Sequence, residues 1–257
     1  MNTLSISIVT VCRNAEASIA RTIESVRGQQ YSSLEYIVID GASTDSTPDI
    51  VRAYGSLVDV FVSEPDNGIA DAFNKGISRS TGDIVGLINA DDQLCPGTLE
   101  TICNFFRNHP DVDVVHGDVM LFEGSRFIKR VKPPGRWWYP WRLVLFNHPS
   151  TFVRKSVYEN HGLFDTNYRI AMDVEIFLRW MSCGVVIKYL PQVLATMETG
   201  GVSGQQALLG YREARQAFVQ HGYSALLATM NYLGKLLLWS LLVATGVVAR
   251  STERRRT

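Results

Sequence analysis

The 257-residue chain lacks an excess of charge of either sign, since Lys and Arg number 25 and Asp and Glu also number 25. Without a global basic field, we expect no nucleic-acid partner. The four cysteines include no Cys-x-x-Cys pair, and the N-terminal residues lack the basic region and cleavage site of a secretory signal. We therefore expect a reducing, cytosolic-side protein without disulfides.

Two glycine-based nucleotide signatures are missing as well. No Gly-x-Gly-x-x-Gly follows the first apolar run, and no Gly-x-x-x-x-Gly-Lys-Ser/Thr occurs anywhere. These absences argue against dinucleotide dehydrogenases and P-loop NTPases. What is present is a composition that is 46% hydrophobic and only 19% charged, sufficient for one large domain or for one domain plus an appendage.

The first hundred residues alternate between two hydrophobic periods. Short Val/Ile-rich runs predict strands at 5–11, 36–40, 58–64 and 83–89. Between them, apolar residues recur at helical spacing, as Ile19, Ile23 and Val26 do. This alternation predicts an α/β fold with a mostly parallel sheet and helices on both of its faces.

Polar residues follow each predicted strand, and in such sheets ligands bind outside the carboxyl ends of the strands. Asp91 and Asp92 stand side by side after the fourth strand. Two acids at a loop tip suit Mg²⁺ or Mn²⁺, which complete their coordination with water and phosphate oxygens. The pair therefore suggests a divalent cation bridging to a diphosphate. The alternative is a solvated turn or a helix N-cap.

Linked motifs in the same region carry a family resemblance. "VIDGASTDS" (38–46), "SEPDNGIADAFNKG" (63–76) and "LINADD" (87–92) resemble family 2 glycosyltransferases of the GT-A fold, especially bacterial polysaccharide-assembly enzymes. The resemblance covers roughly residues 4 to 200. In that family a nucleotide-diphospho-sugar binds at the carboxyl ends of the strands, and a DxD-type motif holds a divalent cation against the diphosphate.

The resemblance implies a donor site built from several loops. Asp40 would accept a hydrogen bond from the nucleotide base, and Asp71 and Lys75 would approach the ribose and the diphosphate. The implied donor-binding residues are Thr10, Arg13, Asn14, Asp40, Ser43, Asp45, Asp71, Lys75, Asn89, Ala90 and His148.

The resemblance also assigns the metal site. Asp91 matches the metal-binding Asp of the family, with Asp92 beside it. The family commonly has an Asp where this chain has Asn89, so we expect weaker metal affinity or a metal contact confined to Asp91.

The second half of the chain contains a candidate base. Residues 168–184 predict a helix with Asp173 and Glu175 near its first turn, where the helix dipole favours a carboxylate. Simple helix capping is the alternative interpretation. The resemblance matches this segment to a region whose Asp is the general base, with Met172 in place of the usual Glu. It implies Asp173 as the catalytic base and leaves Glu175 as the substitute.

These features together predict an inverting glycosyltransferase. The donor would be a UDP-, GDP- or dTDP-sugar, the acceptor a saccharide hydroxyl, and the cation Mn²⁺ or Mg²⁺. His148, in a segment that lines the acceptor side in the family, would contact the diphosphate or the acceptor. A non-catalytic nucleotide-sugar-binding or scaffold protein is the alternative, and a nucleotidyltransferase ranks last.

The C-terminal region is rich in apolar residues. Residues 236–249 carry no charge but are fewer than the roughly 20 needed to span a bilayer, and extension back to 224 includes Lys235. We predict a membrane-associated helix, interfacial or marginally spanning, with Arg250 and Arg254–Arg256 on the cytosolic side. Packing on the catalytic domain or on a second subunit is an equal alternative.

The predicted domains are a catalytic domain, 1–205, with donor half 1–95 and acceptor half 96–205, and a membrane-associating segment, 206–257. We therefore expect a lipid-linked acceptor at the cytoplasmic face of the inner membrane.

Overall fold

The computed structural model describes residues 4–133, 146–201 and 206–244. The four strands predicted in the first hundred residues are all present: β1 (Ile6–Cys12), β2 (Leu34–Asp40), β3 (Val60–Ser63) and β4 (Ile84–Asn89). They are parallel, in the order β3-β2-β1-β4. Their side chains alternate between two buried clusters, with Val9 of β1 in one and Ile8 in the other. The predicted sheet with two covered faces is confirmed.

The sheet continues beyond β4 with mixed strand directions. The further strands are β5 (Gln93–Leu94), β6 (Val114–Glu123), β7 (Arg126–Val131), β8 (Thr151–Arg154) and β9 (Ile187–Glu198). Strand β8 pairs antiparallel with both β4 and β6, and β6 pairs parallel with β9. An all-parallel arrangement therefore holds only for β1–β4, and one continuous sheet runs through both predicted halves.

Helices pack on both faces of this sheet. They are α1 (Ile19–Arg27), α2 (Thr47–Ala53), α3 (Ile69–Arg79), α4 (Thr98–Asn108), α5 (Lys155–His161), α6 (Met172–Ser182), α7 (Ala207–Gln220) and α8 (Ala225–Ala244). Helix α3 lies close to β1 because Gly76 has no side chain, since a Cβ there would be 2.2 Å from Cγ1 of Val9. Helix α6 begins at Met172, four residues later than predicted, which leaves Asp173 in its first turn.

Helix α7 packs on the segment that leads into α6. Its residues Ala214, Ala217 and Phe218 are buried in the same core cluster as the apolar side of α6. The buried Glu213 accepts hydrogen bonds from the backbone N–H groups of residues 169–171 at 2.8–3.1 Å. This packing argues against ending the catalytic unit at residue 205, and we propose instead that the unit extends through α7.

Helix α8 packs on α7 but is otherwise mostly exposed among the described residues. Its 20 residues are long and apolar enough to cross a membrane, and within it only Ala228 and Asn231 are buried. Its exposed apolar residues are Leu226, Leu227, Met230, Leu233, Leu237, Leu238, Leu241 and Val243. Packing of α8 on the catalytic unit is thus largely limited to its contact with α7 among the described residues. Residues 245–257, which include the predicted cytosolic arginines, lie outside them.

Replacing Glu213 by Ala should destabilise the fold, because three backbone N–H groups at the start of α6 lose a buried, charged acceptor. We expect the free energy of unfolding, measured by urea denaturation, to fall by about 2–4 kcal/mol. The same change at Glu159, which is 60% exposed on α5, should cost less than about 0.5 kcal/mol. Equal losses in the two variants would contradict the role assigned to Glu213.

Candidate active site

The loops after β1 and β2 are joined by hydrogen bonds at the carboxyl edge of the sheet. The backbone N–H of Asn14 donates to Oγ of Ser43 at 2.7 Å, and Oδ1 of Asn14 accepts from the N–H of Thr44 at 2.9 Å. Oδ2 of Asp45 accepts from the N–H of Glu16 at 3.1 Å. The structure thus brings Asn14, Ser43 and Asp45 together, as the prediction of a shared site requires, and uses their side chains to fix the two loops.

Two of the predicted donor-binding residues are fully buried. Asp40 has no exposed surface, and its carboxylate accepts from the N–H and hydroxyl of Ser43 and from Oγ of Ser63 at 2.6 Å. Thr10 is equally buried, with Oγ1 3.0 Å from the hydroxyl of Tyr36. Their contact with a nucleotide stays a prediction that this burial does not favour. Arg13, in contrast, is exposed beside them.

Lys75 of α3 lies among carboxylates from two elements. Its Nζ is 3.1 Å from Oε1 of Glu64 and 3.6 Å from Oδ2 of Asp71. Desolvation opposes the charged form, but Glu64 and Asp71 outweigh it and raise the pKa of Lys75. The predicted pair of Asp71 and Lys75 is therefore in contact, and Lys75 stays cationic at this edge of the sheet.

The adjacent acids Asp91 and Asp92 are not equivalent. Asp92 is only 2% exposed, and its Oδ2 accepts from Nδ2 of Asn89 at 3.1 Å. Burial raises the pKa of Asp92 to about 7, Asp91 adds to that rise, and His148 opposes it. Asp91 is half-exposed, whereas Ala90 between the strand and the pair is buried in the core. Of the pair, Asp91 is thus the carboxylate open to a ligand.

The donor set fits a cation that the substrate helps to bind. Among the described residues, no cluster of three or more His, Cys, Asp or Glu side chains could hold a metal ion alone. Mg²⁺ and Mn²⁺, however, commonly take one or two carboxylates and complete their coordination with water and substrate phosphates. Asp91, with Asp92 behind it, meets that requirement.

The pairing of β4 with β8 brings His148 to the same edge. Because Gly86 lies opposite Phe152 in an antiparallel register, the end of β4 faces the residues that precede β8. Nε2 of His148 is 2.8 Å from Nδ2 of Asn89, and its Nδ1 is 3.0 Å from Oδ2 of Asp173. Four side chains from three segments, those of Asp92, Asn89, His148 and Asp173, therefore form one continuous hydrogen-bonded chain.

His148 and Asp173, the last two members of this hydrogen-bonded chain, are both affected by burial and by neighbouring charges. Desolvation opposes protonation of His148, but the carboxylates of Asp173, Asp92 and Asp91 outweigh it and raise the pKa of the ring. Oδ1 of Asp173 is buried and has no hydrogen-bond partner among the described residues. A buried carboxylate oxygen without a donor is costly, and a catalytic role is one explanation for such a group.

Glu175, the substitute base, has a different environment. It is 2% exposed, and its two oxygens lie 2.9 Å from Nη2 of Arg179 and 3.1 Å from Nε2 of His221. This buried ion pair occupies both oxygens, which favours Asp173 over Glu175. Met172, where the family has an acid, is buried in the core.

Sequence reasoning missed two contacts of this site. It placed His148 near the diphosphate or the acceptor, and not against Asp173. No spacing rule connects residues 25 apart, and the antiparallel addition of β8 to β4 was not predicted. Glu213 was missed as well, because one acid in a helix is ordinarily solvated and carries no sequence signal.

Comparison with known proteins identifies the family. The family model described as "Glycosyl transferase family 2" matches residues 7–178. The chain belongs to glycosyl transferase family 2. It is a glycosyltransferase enzyme with the GT-A fold, as the resemblance implied.

Individual relatives agree with this assignment. This chain is 28% identical over 209 residues to a PGL/p-HBAD biosynthesis glycosyltransferase of Mycobacterium bovis (strain BCG / Pasteur 1173P2). The aligned region covers 77% of this chain and 78% of the relative. The mannosyltransferase PcManGT from Pyrobaculum calidifontis, solved with GDP-Man and Mn²⁺, has a TM-score of 0.66 at 19% identity, covering all of this chain and 82% of PcManGT.

A second solved structure, S. aureus TarS, also has a TM-score of 0.66 at 19% identity. The match covers 91% of this chain and 43% of TarS, so this chain spans less than half the length of TarS. Residues 1–349 of TarS have been solved with UDP-GlcNAc. These structural similarities establish the fold.

The buried Asp92 should make the metal-free protein less stable at alkaline pH. Its pKa of about 7 lies above its ordinary value of 3.8. Between these two pH values the folded protein holds a proton that the unfolded chain has lost, so stability falls as the pH rises from about 4 to about 7. The Asp92→Asn variant avoids this loss. Between pH 5 and pH 8 in EDTA, the unfolding free energy should shift in favour of the variant by about 2–3 kcal/mol.

Asp111→Asn, the same change at an exposed site, is the control and should follow the wild type across this pH range. A wild type and Asp92→Asn variant with parallel stability curves would show that Asp92 titrates as an ordinary carboxyl.

Proposed function

We propose that the enzyme transfers a sugar, with inversion, from a nucleotide-diphospho-sugar to a hydroxyl of a saccharide acceptor in polysaccharide or glycolipid biosynthesis. The observation that carries this proposal is the placement of Asp173. Its carboxylate, with one unpaired buried oxygen, is joined through His148 to the loop of Asp91 and Asp92. A base and an acidic diphosphate-side loop are thus held together at the carboxyl edge of the sheet, where ligands bind in this type of fold.

The reaction is a single displacement. The carboxylate of Asp173 takes the proton of the acceptor hydroxyl as its oxygen bonds to C1 of the sugar, and the C1–O bond to the diphosphate breaks with its electron pair leaving on the nucleoside diphosphate. One base on the acceptor side suffices for attack from the face opposite the leaving group, so the anomeric centre inverts. The neighbours bound to UDP-GlcNAc and GDP-Man support a donor of this class.

Asp91, backed by Asp92, would hold a divalent cation. When bound, such a cation supplies positive charge that stabilises the leaving diphosphate. The protein's own contribution on this side is Lys75, a cation with its side chain one-fifth exposed, which can contact a phosphate from α3. The Mn²⁺ bound by PcManGT supports the choice of metal.

Two substitutions should separate donor binding from turnover. Asp91→Ala should remove the Mn²⁺-dependent part of donor affinity, at least about 10-fold, because the more accessible carboxylate of the pair is gone. Asp173→Asn should retain donor affinity and lose about 10²–10⁴-fold in kcat, because the amide cannot accept the proton. Calorimetry with UDP-GlcNAc, GDP-Man and a dTDP-sugar, with and without Mn²⁺, measures the first effect, and nucleoside diphosphate release measures the second.

Asp111→Ala and Asp111→Asn provide matched controls at an exposed site and should leave both quantities unchanged. Donor binding without turnover in the wild type would instead favour the non-catalytic binding protein. Wild-type activity in Asp173→Asn would exclude Asp173 as the base.

We also propose that α8 holds the enzyme at the cytoplasmic face of a membrane, where it acts on a lipid-linked acceptor. The eight exposed apolar side chains on α8 support this assignment, since so long an apolar helix is not otherwise covered by the described chain. Helix α7 would then lie between the membrane and the base helix α6, because α7 contacts both α6 and α8. In the contact with α8, Nε of Arg215 donates to Oγ1 of Thr229 at 2.9 Å.

Adding charge to α8 should release the enzyme from lipid. The double variant Leu237→Asp/Leu241→Asp, and a chain ending at Gly222, should lose binding to anionic vesicles in co-sedimentation, because charged side chains partition poorly into the bilayer. Turnover of a lipid-linked acceptor should fall at least about 10-fold relative to a free saccharide, since the two substrates would no longer share a surface.

Phe127→Asp changes an apolar residue on β7 that is 52% exposed and should retain vesicle binding. If the chain ending at Gly222 stays soluble and uses lipid-linked and free acceptors equally well, the membrane proposal fails.

A further inference from the structure

Asp173 is oriented by a single donor. Among the described residues, the only hydrogen bond to its carboxylate comes from Nδ1 of His148, at 3.0 Å, and Oδ1 has none. A carboxylate held at one oxygen can rotate about its Cβ–Cγ bond once that donor is removed. Its geometry toward an acceptor hydroxyl therefore depends on His148.

In the neutral ring of His148, the partner of Nε2 decides which of the two nitrogens carries the proton. Nε2 faces Nδ2 of Asn89 at 2.8 Å, and the same amide nitrogen is 3.1 Å from Oδ2 of Asp92. Nδ2 of Asn89 carries two N–H groups and lies within hydrogen-bond distance of both atoms, so one N–H is donated to Oδ2 of Asp92 and the other is directed at Nε2 of the neutral ring. Nε2 then accepts, and the ring proton resides on Nδ1, directed at Asp173.

The ring itself is fixed in place. His148 side-chain exposure is 15%, and the ring meets Phe73 of α3 edge-to-face with centroids 5.5 Å apart. The hydroxyl of the buried Ser150 donates to the carbonyl of Gly117 at 2.9 Å and holds the short turn that carries His148. The imidazole therefore has little freedom to move. The change that remains open to it is a shift of its proton between Nδ1 and Nε2.

We propose that His148 is a positioning residue for the base, and that Asn89 sets the His148 tautomer that orients Asp173. This inference rests on the proposed role of Asp173 and assigns His148 to the base, away from the donor diphosphate. It also gives a function to the amide at position 89, where the family commonly has an acid. A carboxylate there would offer Nε2 an acceptor and would lie about 3 Å from Asp92.

The tautomer can be measured without turnover. In two-bond ¹H–¹⁵N spectra of the ¹⁵N-histidine-labelled protein at pH 9, His148, assigned by its loss in His148→Gln, should carry its proton on Nδ1. Asn89→Asp should place a proton on Nε2. A wild-type ring protonated on Nε2, or an Asn89→Asp ring without a proton there, would overturn the inference whatever the enzyme transfers.

Kinetics provide the second test, with whichever of UDP-GlcNAc or GDP-Man is turned over. His148→Asn keeps a donor at the δ position, whereas His148→Gln keeps a group only at the ε position. We expect kcat to fall about 10-fold in His148→Asn and about 100-fold in His148→Gln and His148→Ala, with donor Kd unchanged in all three. His109→Gln, at an exposed site, is the matched control.

The outcomes separate the two proposals. Equal kcat losses in His148→Asn and His148→Ala would reduce His148 to packing, and a weakened donor Kd would return it to the diphosphate. Either result overturns the positioning role. If the wild type turns over no donor while the spectra show the Nδ1 proton, the proposed function fails and the hydrogen-bonded chain stands.

Discussion

The antiparallel pairing of β8 with β4 is the constraint on which the site depends. Strand β4 ends in the acidic loop, and β8 begins beside that end because the two strands run in opposite directions. A parallel strand would have delivered its preceding residues to the far edge of the sheet. Because β8 is antiparallel to β4, His148, which precedes β8, contacts a residue at the end of β4. After β8 the chain continues through α5 to the base helix α6.

Buried polar groups around this edge are satisfied almost entirely by one another. The carboxylate of Asp40 accepts from two serine hydroxyls and one backbone N–H. The carboxylate of Glu213 accepts from backbone N–H groups. Such networks are rigid because removal of one member leaves others unpaired in a low dielectric. Asp92 and Asp173 are the less satisfied members, with a raised pKa in one and an unpaired oxygen in the other. Asp92 and Asp173 are thus less completely satisfied than Asp40 and Glu213, whose carboxylates hold neighbouring segments in place.

The donor half was largely predictable from sequence because its signal is local. Val/Ile runs of strand length, separated by helical spacing, led to β1–β4 with boundaries off by one or two residues, and the acids of "NADD" followed from their position after β4. The contacts among His148, Asn89 and Asp173 were not predictable, because they depend on a strand register between segments far apart in sequence. Burial of Thr10 and Asp40 was hidden for a similar reason, since polar residues at strand ends give no indication of whether neighbouring loops cover them. The family resemblance supplied the roles of these residues, and geometry alone supplied their partners.

The hydrogen bonds from residues 169–171 to Glu213 have a consequence for recombining family members. The family match ends at residue 178, within α6, so an exchange of C-terminal regions there would keep the first turns of α6, with Asp173, and discard α7. Such a chimera would contain Asp173 but would lack Glu213, whose carboxylate accepts hydrogen bonds from the three amides that precede α6. The smallest module that can be moved between relatives with its base helix intact is therefore the stretch from about Tyr168 to Gly222. Divergence of α7 and divergence of the approach to α6 are expected to be linked, although the two lie on opposite sides of β9 in the sequence.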